Sequence, residues 1–228
     1  MFSPLIERAI ELAAEWHDGT YRKSRWRPAA FEVPQADLGE PVVVLRVPVM
    51  AHVTAVALTV QRAGWDDETV AAAFLHDTIE DANRHGQGLT YEQLAAATTS
   101  GVADRVRAVT EPKKAASGRF LPWRVRKETY VQQLADGTDE AAAISLADKL
   151  HNLWTMNQGL ASGRDIFTRE RHTDGSPRGL SAGPAQQRWY FHAVLDAVAS
   201  FPDPRLDPQR TRLREEMQRF DILVSARE

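Results

Sequence analysis

The segment Ala72-Ala-Phe-Leu-His76-Asp77-Thr-Ile-Glu80-Asp81 carries four ionisable side chains directly after an apolar run. Read as helix, it sets His76 and Glu80 one turn apart, and Asp77 and Asp81 likewise. Ionisable groups at the inner end of a buried helix are costly unless something pairs with them. A divalent cation and an anionic substrate would supply that pairing. Two other places offer partners: His52 in Met50-Ala-His52-Val, and Asp148 in Ser145-Leu-Ala-Asp148-Lys-Leu-His-Asn152. His52, His76, Asp77 and Asp148 together make a set of two imidazoles and two carboxylates, which suits Mn²⁺, Fe²⁺ or Zn²⁺ better than Ca²⁺. Such a cation makes water nucleophilic near neutral pH by lowering its pKa. Glu80 or Asp81 could take the proton. Lys23, Lys149 or Arg126 could face the charge developing on a phosphoryl group. Each residue alone has a plainer role: His52 as a hydrogen-bonded histidine, Asp148 as the partner of Lys149 or Arg126, Arg126-Lys127 as a solvated helix face. Their joint occurrence, each at the polar edge of an apolar helix, favours a site.

The elements that must hold these residues read as helical nearly throughout. Ser3 and Pro4 open an amphipathic helix over residues 4–17, with Leu5, Ile6, Ala9, Ile10, Ala13 and Trp16 at helical spacing. The spacing predicts further helices over about 50–63, 68–81, 102–110, 123–134 and 140–157, the last capped by Asp139. Asp66 or Asp67 can cap the third helix, and Thr90-Tyr-Glu-Gln93 is a capping-box pattern that opens a short one. A stretch from Arg25 to Pro48, rich in Pro and charge, reads as an insertion. Val42–Val47 is its strand candidate, in a small β-hairpin or a partly ordered loop. Seven glycines and prolines over residues 158–184 mark a long, mobile loop. Helices over about 185–200 and 208–224 close the chain.

Composition narrows the class. The chain has 228 residues, a formal net charge of −3 and no cysteine. That length suits one large domain, residues 1–228, and no composition shift divides it. Without cysteine there is no disulfide framework and no thiolate zinc site, so any metal is held by His and carboxylate. The expected compartment is the cytoplasm. Apolar runs are far shorter than a membrane span needs, and Glu7 and Glu11 interrupt the N-terminal pattern, so a secretory signal is not expected. A pI near 6.2 gives no nucleic-acid footprint.

The string His52 … Leu75-His76-Asp77-Thr-Ile-Glu80-Asp81 … Ala147-Asp148-Lys-Leu-His-Asn152 resembles the HD-domain phosphohydrolases. It looks most like the RelA/SpoT-type alarmone hydrolase domain and its small stand-alone, Mesh1-like relatives. An early Arg22-Lys23-Ser24 element adds to the likeness, which covers about residues 5–157. The resemblance implies an all-α HD-domain bundle. It implies His52, His76, Asp77 and Asp148 as ligands of a metal, usually Mn²⁺. It implies Glu80 and Asp81 as the acidic pair at the attacking water. Arg22 would pack on a guanine base, with Lys23 and Ser24 beside it and Asn152 and Thr155 as further substrate contacts. The implied reaction removes the 3′-diphosphate of (p)ppGpp, giving GDP or GTP and pyrophosphate.

The sequence also departs from that pattern. His52 lacks the aromatic and proline context of relatives, and the gap between Ser24 and His52 is lengthened by the insertion, which bears on guanine specificity. Trp154 stands where relatives often carry arginine. Arg164, Arg169, Arg171, Arg178 and Arg188 could close over a polyphosphate, or sit on a surface loop. Too little chain follows residue 157 for a synthetase-like region, so the expectation is a hydrolase alone, acting on a small nucleotide. The alternatives are another nucleotide substrate, with an NADPH-type 2′-phosphate or a 5′-phosphate, and a non-catalytic nucleotide sensor. A sensor has no need of the Glu80–Asp81 pair.

Overall fold

The computed structural model describes residues 2–26, 46–115, 117–171, 175 and 177–227, with residues 23–26 and 46 as backbone only. Nine α-helices and one two-stranded ribbon occur among the described residues. Helix α1 spans Pro4–Trp16, and Ser3 caps it by accepting from the Ile6 N–H. Strands β1 (Tyr21–Trp26) and β2 (Arg46–Pro48) pair antiparallel, with Tyr21 opposite Pro48 and Trp26 opposite Arg46. Helices α2 (Val49–Arg62), α3 (Asp67–Leu75), α4 (Tyr91–Ala97), α5 (Ser100–Val109) and α6 (Trp123–Ala135) follow. The long α7 spans Asp139–Ala161, and α8 (Pro184–Ala197), a 3₁₀ turn (Pro204–Leu206) and α9 (Asp207–Ser225) complete the order.

The core is organised by α3 and α7. Every residue of α3 from Thr69 to Leu75 is buried, as is α7 from Ala141 to Lys149. Runs apolar on all sides are what helices packed on all sides require. Helices α1 and α2 cover α3, while α2, α5 and α9 pack on α7. The last contact includes a polar lock. Asn157 of α7 donates its amide Nδ2 to the Glu216 carbonyl and to Glu216 Oε2, both at 2.8 Å, and both residues are buried. Among the described residues, no helix is long and apolar enough to cross a membrane.

Several boundaries differ from those the sequence suggests. The ribbon begins at Tyr21, ahead of the insertion, and Arg22 lies on its first strand. Of Val42–Val47, residues 42–45 lie outside the described residues, as do 27–41, and Val47 lies in β2. Helix α3 stops at Leu75 rather than running to Asp81. Thr78 closes its end by directing both its N–H (3.0 Å) and its hydroxyl (2.7 Å) to the Leu75 carbonyl. A β-branched Thr whose hydroxyl serves the backbone competes with continued helix, and His76–Asp81 is turned instead. Thr138, not Asp139, caps α7, accepting from the Ala141 N–H. Helix α7 also runs four residues past Asn157, so the following loop is 162–183. That loop is pinned rather than free along part of its length. Ile166 is buried, Leu180 donates its N–H to the Ile166 carbonyl at 2.8 Å, and a Cβ at Gly179 would stand 2.1 Å from the Thr168 carbonyl oxygen.

Candidate metal centre and adjoining cleft

Three helices and a turn bring the candidate ligands together. His52 stands on the first turn of α2, His76 and Asp77 follow the end of α3, and Asp148 lies midway along α7. His52 Nε2 is 3.1 Å from Asp148 Oδ1 and 3.8 Å from Asp77 Oδ2. His76 Nε2 is 3.2 Å from Asp77 Oδ1 and 3.8 Å from Asp148 Oδ1. One ligand atom each from His52, His76 and Asp148 fall within 4.8 Å of one another, and all three residues are buried. Asp77 borders this triad and touches both imidazoles. The Nε2 atoms of His52 and His76 are buried without a hydrogen-bond partner. Nitrogens desolvated in that way are costly unless they face a carboxylate as N–H or meet a cation through the lone pair. The donor set and these orphaned atoms fit a divalent metal.

The groups around the triad are held by ion pairs and hydrogen bonds. His76 Nδ1 lies 2.8 Å from the Ala73 carbonyl, which fixes the ring. Burial alone would lower the His76 pKa, but Asp77 and Asp148 outweigh it and raise it to about 9. Burial and the nearby Arg22 charge hold His52 well below the usual imidazole range, so it is neutral. Burial would push Asp148 up, yet the adjacent Lys149 ammonium and the two imidazoles hold it well below the usual carboxylate range. Asn152, one turn on, donates Nδ2 to Asp148 Oδ1 at 2.5 Å and accepts from the Arg22 guanidinium on β1. The chain Arg22–Asn152–Asp148 thus ties the ribbon to the metal triad.

Glu80 and Asp81 stand beside the triad on the turn that follows α3, held by a loop whose part the sequence did not reveal. Lys113, in the loop before α6, donates to the Glu80 carbonyl (3.0 Å) and to Asp81 Oδ1 (2.5 Å), and its Nζ is 3.4 Å from Glu80 Oε1. The Glu111 N–H donates to Glu80 Oε2 at 3.1 Å. Burial, then the Asp77 and Asp81 charges, lift the Glu80 pKa to about 7 against the opposing pull of Lys113. Trp16 of α1 donates its indole N–H to the Asp81 carbonyl at 2.9 Å.

A cleft of about 320 Å³ opens from this centre. It is lined by Arg22, His52, Asp77 and Asp148, and by the aromatic side chains Trp123, Tyr130, Tyr190 and Phe191 from α6 and α8. Lys127 and Lys149 also line it, with Nζ 4.6 Å and 5.7 Å from the Tyr190 ring centre. Arg126 and Lys127 both pair with the buried Glu111, so this face of α6 points inward and is not a solvated one. Thr155 lines the cleft, its hydroxyl donating to the Asn152 carbonyl at 2.8 Å. Lys23 and Ser24 lie on β1, and their side chains are outside the described residues. The loop after α7 reaches the cleft through Leu180 and Ser181. Two of its arginines are held by the loop itself, Arg178 paired with Glu170 and Arg171 donating to the Gly175 carbonyl, while Arg188 on α8 pairs with Asp221. Sequence reading missed Lys113, Glu111, Tyr190 and His151. No spacing rule joins residues that only the fold brings within reach; His151 alone sat inside a segment already singled out.

The helical fold and a buried His-His-Asp centre are the marks of an HD domain. The family model described as "HD domain" matches residues 45–172, and the chain belongs to that family. Curated relatives include the Streptomyces coelicolor protein named GTP pyrophosphokinase, 31% identical over 193 residues, which are 85% of this chain and 20% of that protein. Another is the Danio rerio guanosine-3′,5′-bis(diphosphate) 3′-pyrophosphohydrolase MESH1, 33% identical over 113 residues, or 49% of this chain and 57% of that protein. The chain therefore spans between a fifth and somewhat over half of these relatives. A solved structure titled as a metazoan ortholog of SpoT that hydrolyzes ppGpp shares the fold, with a TM-score of 0.62 at 22% identity, covering 96% of each chain.

Proposed function

We propose that the protein hydrolyses the 3′-diphosphate of (p)ppGpp to GDP or GTP and pyrophosphate in the cytoplasm, with a divalent cation, Mn²⁺ in the first instance. The observation that carries this reading is the pair of orphaned imidazole nitrogens facing Asp148 at the mouth of a cleft lined by Lys127, Lys149 and Arg22. The names of the Danio rerio relative and of the fold neighbour point to the same substrate.

His52, His76, Asp77 and Asp148 would hold the cation. When bound, it lowers the pKa of water and offsets charge on phosphoryl oxygens. Glu80, with its pKa near neutral, takes a proton from the attacking water, the match between base and working pH that general-base catalysis favours. Lys113 and the Glu111 N–H hold the Glu80–Asp81 pair in place. Lys127 and Lys149 face the diphosphate, Arg22 lies against the base, and Asn152 and Thr155 complete the nucleotide contacts; Lys23 and Ser24 are assigned the flank of the base.

The test is product release with Mn²⁺ across a nucleotide panel that includes ppGpp, pppGpp, NADPH and 5′-nucleotides. Pyrophosphate from ppGpp is expected. Orthophosphate from another nucleotide with ppGpp untouched would overturn the substrate, and no turnover at full metal occupancy would make the protein a sensor.

A further inference from the structure

The two imidazoles of the metal triad are supported in different ways. His76 directs Nδ1 at a backbone carbonyl, that of Ala73, at 2.8 Å. A carbonyl only accepts, so Nδ1 of His76 must carry a hydrogen, and Nε2 is the nitrogen left to bind a cation. His52 has no carbonyl there. Its Nδ1 lies 2.8 Å from Nδ1 of His151, with ring centres 4.8 Å apart and planes inclined by 43°. His151 is one turn along α7 from Asp148, so the same helix supplies a carboxylate to the triad and an imidazole behind it.

Between two imidazoles at that distance only one hydrogen fits, and its position is fixed by the other ends of the rings. His52 Nε2 is buried without a hydrogen-bond partner and faces Asp148 and Asp77. If it binds a cation through its lone pair, the His52 hydrogen is on Nδ1 and is donated. His151 Nδ1 must then accept, which places the His151 hydrogen on its own Nε2. The ring of His151 is half-buried and packs against Trp154, ring centres 6.0 Å apart, which limits its rotation.

We infer that His151 is a positioning residue: its Nδ1 accepts the His52 Nδ1–H and so fixes the tautomer in which His52 can bind metal. The inference rests on the metal reading above. Partners of this kind, lying behind a ligating histidine, typically change metal affinity about 10–100-fold when removed. An asparagine places its Oδ1 close to where a histidine carries Nδ1 and only needs to accept, so it should serve in place of His151.

The experiment measures Mn²⁺ affinity by calorimetry, with circular dichroism and melting to confirm folding, for the full chain and for His151→Ala and His151→Asn. The wild-type chain should bind one Mn²⁺. His151→Ala should bind it about 10–100-fold more weakly, and His151→Asn should recover most of that loss. Wild-type affinity in folded His151→Ala overturns the inference, as does an Asn variant no better than Ala. A second measurement holds should the Ala variant fail to fold. In ¹⁵N-histidine spectra of the Zn²⁺-loaded wild type, His52 should carry hydrogen on Nδ1 and His151 on Nε2, and the reverse pattern overturns the assignment. A wild-type chain that binds no divalent cation defeats the metal reading itself, and is told apart by that control.

Discussion

Loading the metal-free protein with Mn²⁺ should release protons, and the number follows from two side chains. His76 has a pKa of about 9 without metal, because Asp77 and Asp148 outweigh the effect of burial. Its Nδ1 is committed to the Ala73 carbonyl, so cation binding at Nε2 must displace the ionising proton. At a pH of about 7.5, some 1.5 units below that pKa, about 97% of His76 is protonated, which contributes about one proton. Glu80, at about 7, is about one-quarter protonated there and gives up that share as the cation offsets Asp77 and Asp81. Release should therefore be about 1.0–1.2 protons at a pH of about 7.5 and up to about 1.8 at a pH of about 6.5. Calorimetric titrations in Hepes and in Tris, whose ionisation enthalpies differ, give the number as a slope. The sign for stability follows. A histidine raised in the folded state stabilises the metal-free protein fully below its unfolded pKa of about 6.5, and that stabilisation is lost as the pH rises through about 9. The melting increment on adding Mn²⁺ should thus grow across that window. Proton uptake, or release under about 0.3 protons at a pH of about 7.5, would refute the reasoning.

Glu80→Gln should retain Mn²⁺ while turnover falls by about 10²–10⁴. The acid limb of its pH–rate profile should go too; unchanged kcat would remove Glu80 from the mechanism. Arg22→Ala should raise KM for the nucleotide with a smaller effect on kcat, as loss of uniform binding does, read by steady-state kinetics. Asn157→Ala deprives the buried Glu216 of its amide donor. It should cost about 1–3 kcal/mol, a fall of roughly 3–10 °C in Tm by calorimetry, with Mn²⁺ affinity kept.

How far the site was legible depended on whether its residues were neighbours along the chain. His76, Asp77, Glu80 and Asp81 stand in one segment, and the cost of ionisable groups after an all-apolar run signalled a site before any geometry. His52 and Asp148 were legible because each interrupts an otherwise apolar helix face. The shape of the segment was not. Nothing in His-Asp-Thr-Ile shows that the Thr78 hydroxyl turns back on Leu75, so the helix was expected to run six residues further. Lys113 and Glu111 lie in a loop whose sequence has no periodicity, and their role exists only because the chain crosses over Glu80. Tyr190 is buried, and what places it at the cleft is the packing of α8 on α6. The ribbon was half-legible. Val47 suggested a strand, but its partner, starting at Tyr21, has polar residues at positions that a buried strand would fill with apolar ones.

The charges that line the cleft argue that metal and nucleotide binding are linked in a pH-dependent way. Five carboxylates, Asp77, Glu80, Asp81, Glu111 and Asp148, stand against five bases, Arg22, Lys127 and Lys149 of the lining together with Lys113 and Arg126 paired behind it, a formal balance of 5 − 5 = 0. A protonated His76 brings the metal-free value to about +1, and each added positive charge favours a polyanion further. Cation entry adds two charges but expels protons, so the net gain is about one at a pH of about 8 and only about 0.2 at a pH of about 6.5, where Glu80 also gives up its proton. The electrostatic help that Mn²⁺ gives to nucleotide binding should therefore strengthen as pH rises. GDP affinity, measured with and without saturating Mn²⁺ and corrected for the Mn²⁺–GDP complex in solution, tests this. The ratio of the two affinities should be several-fold larger at the higher pH. A ratio equal at both, or larger at the lower pH, would mean that His76 and Glu80 do not exchange protons for the cation and that the cleft is not charge-coupled as its residues imply.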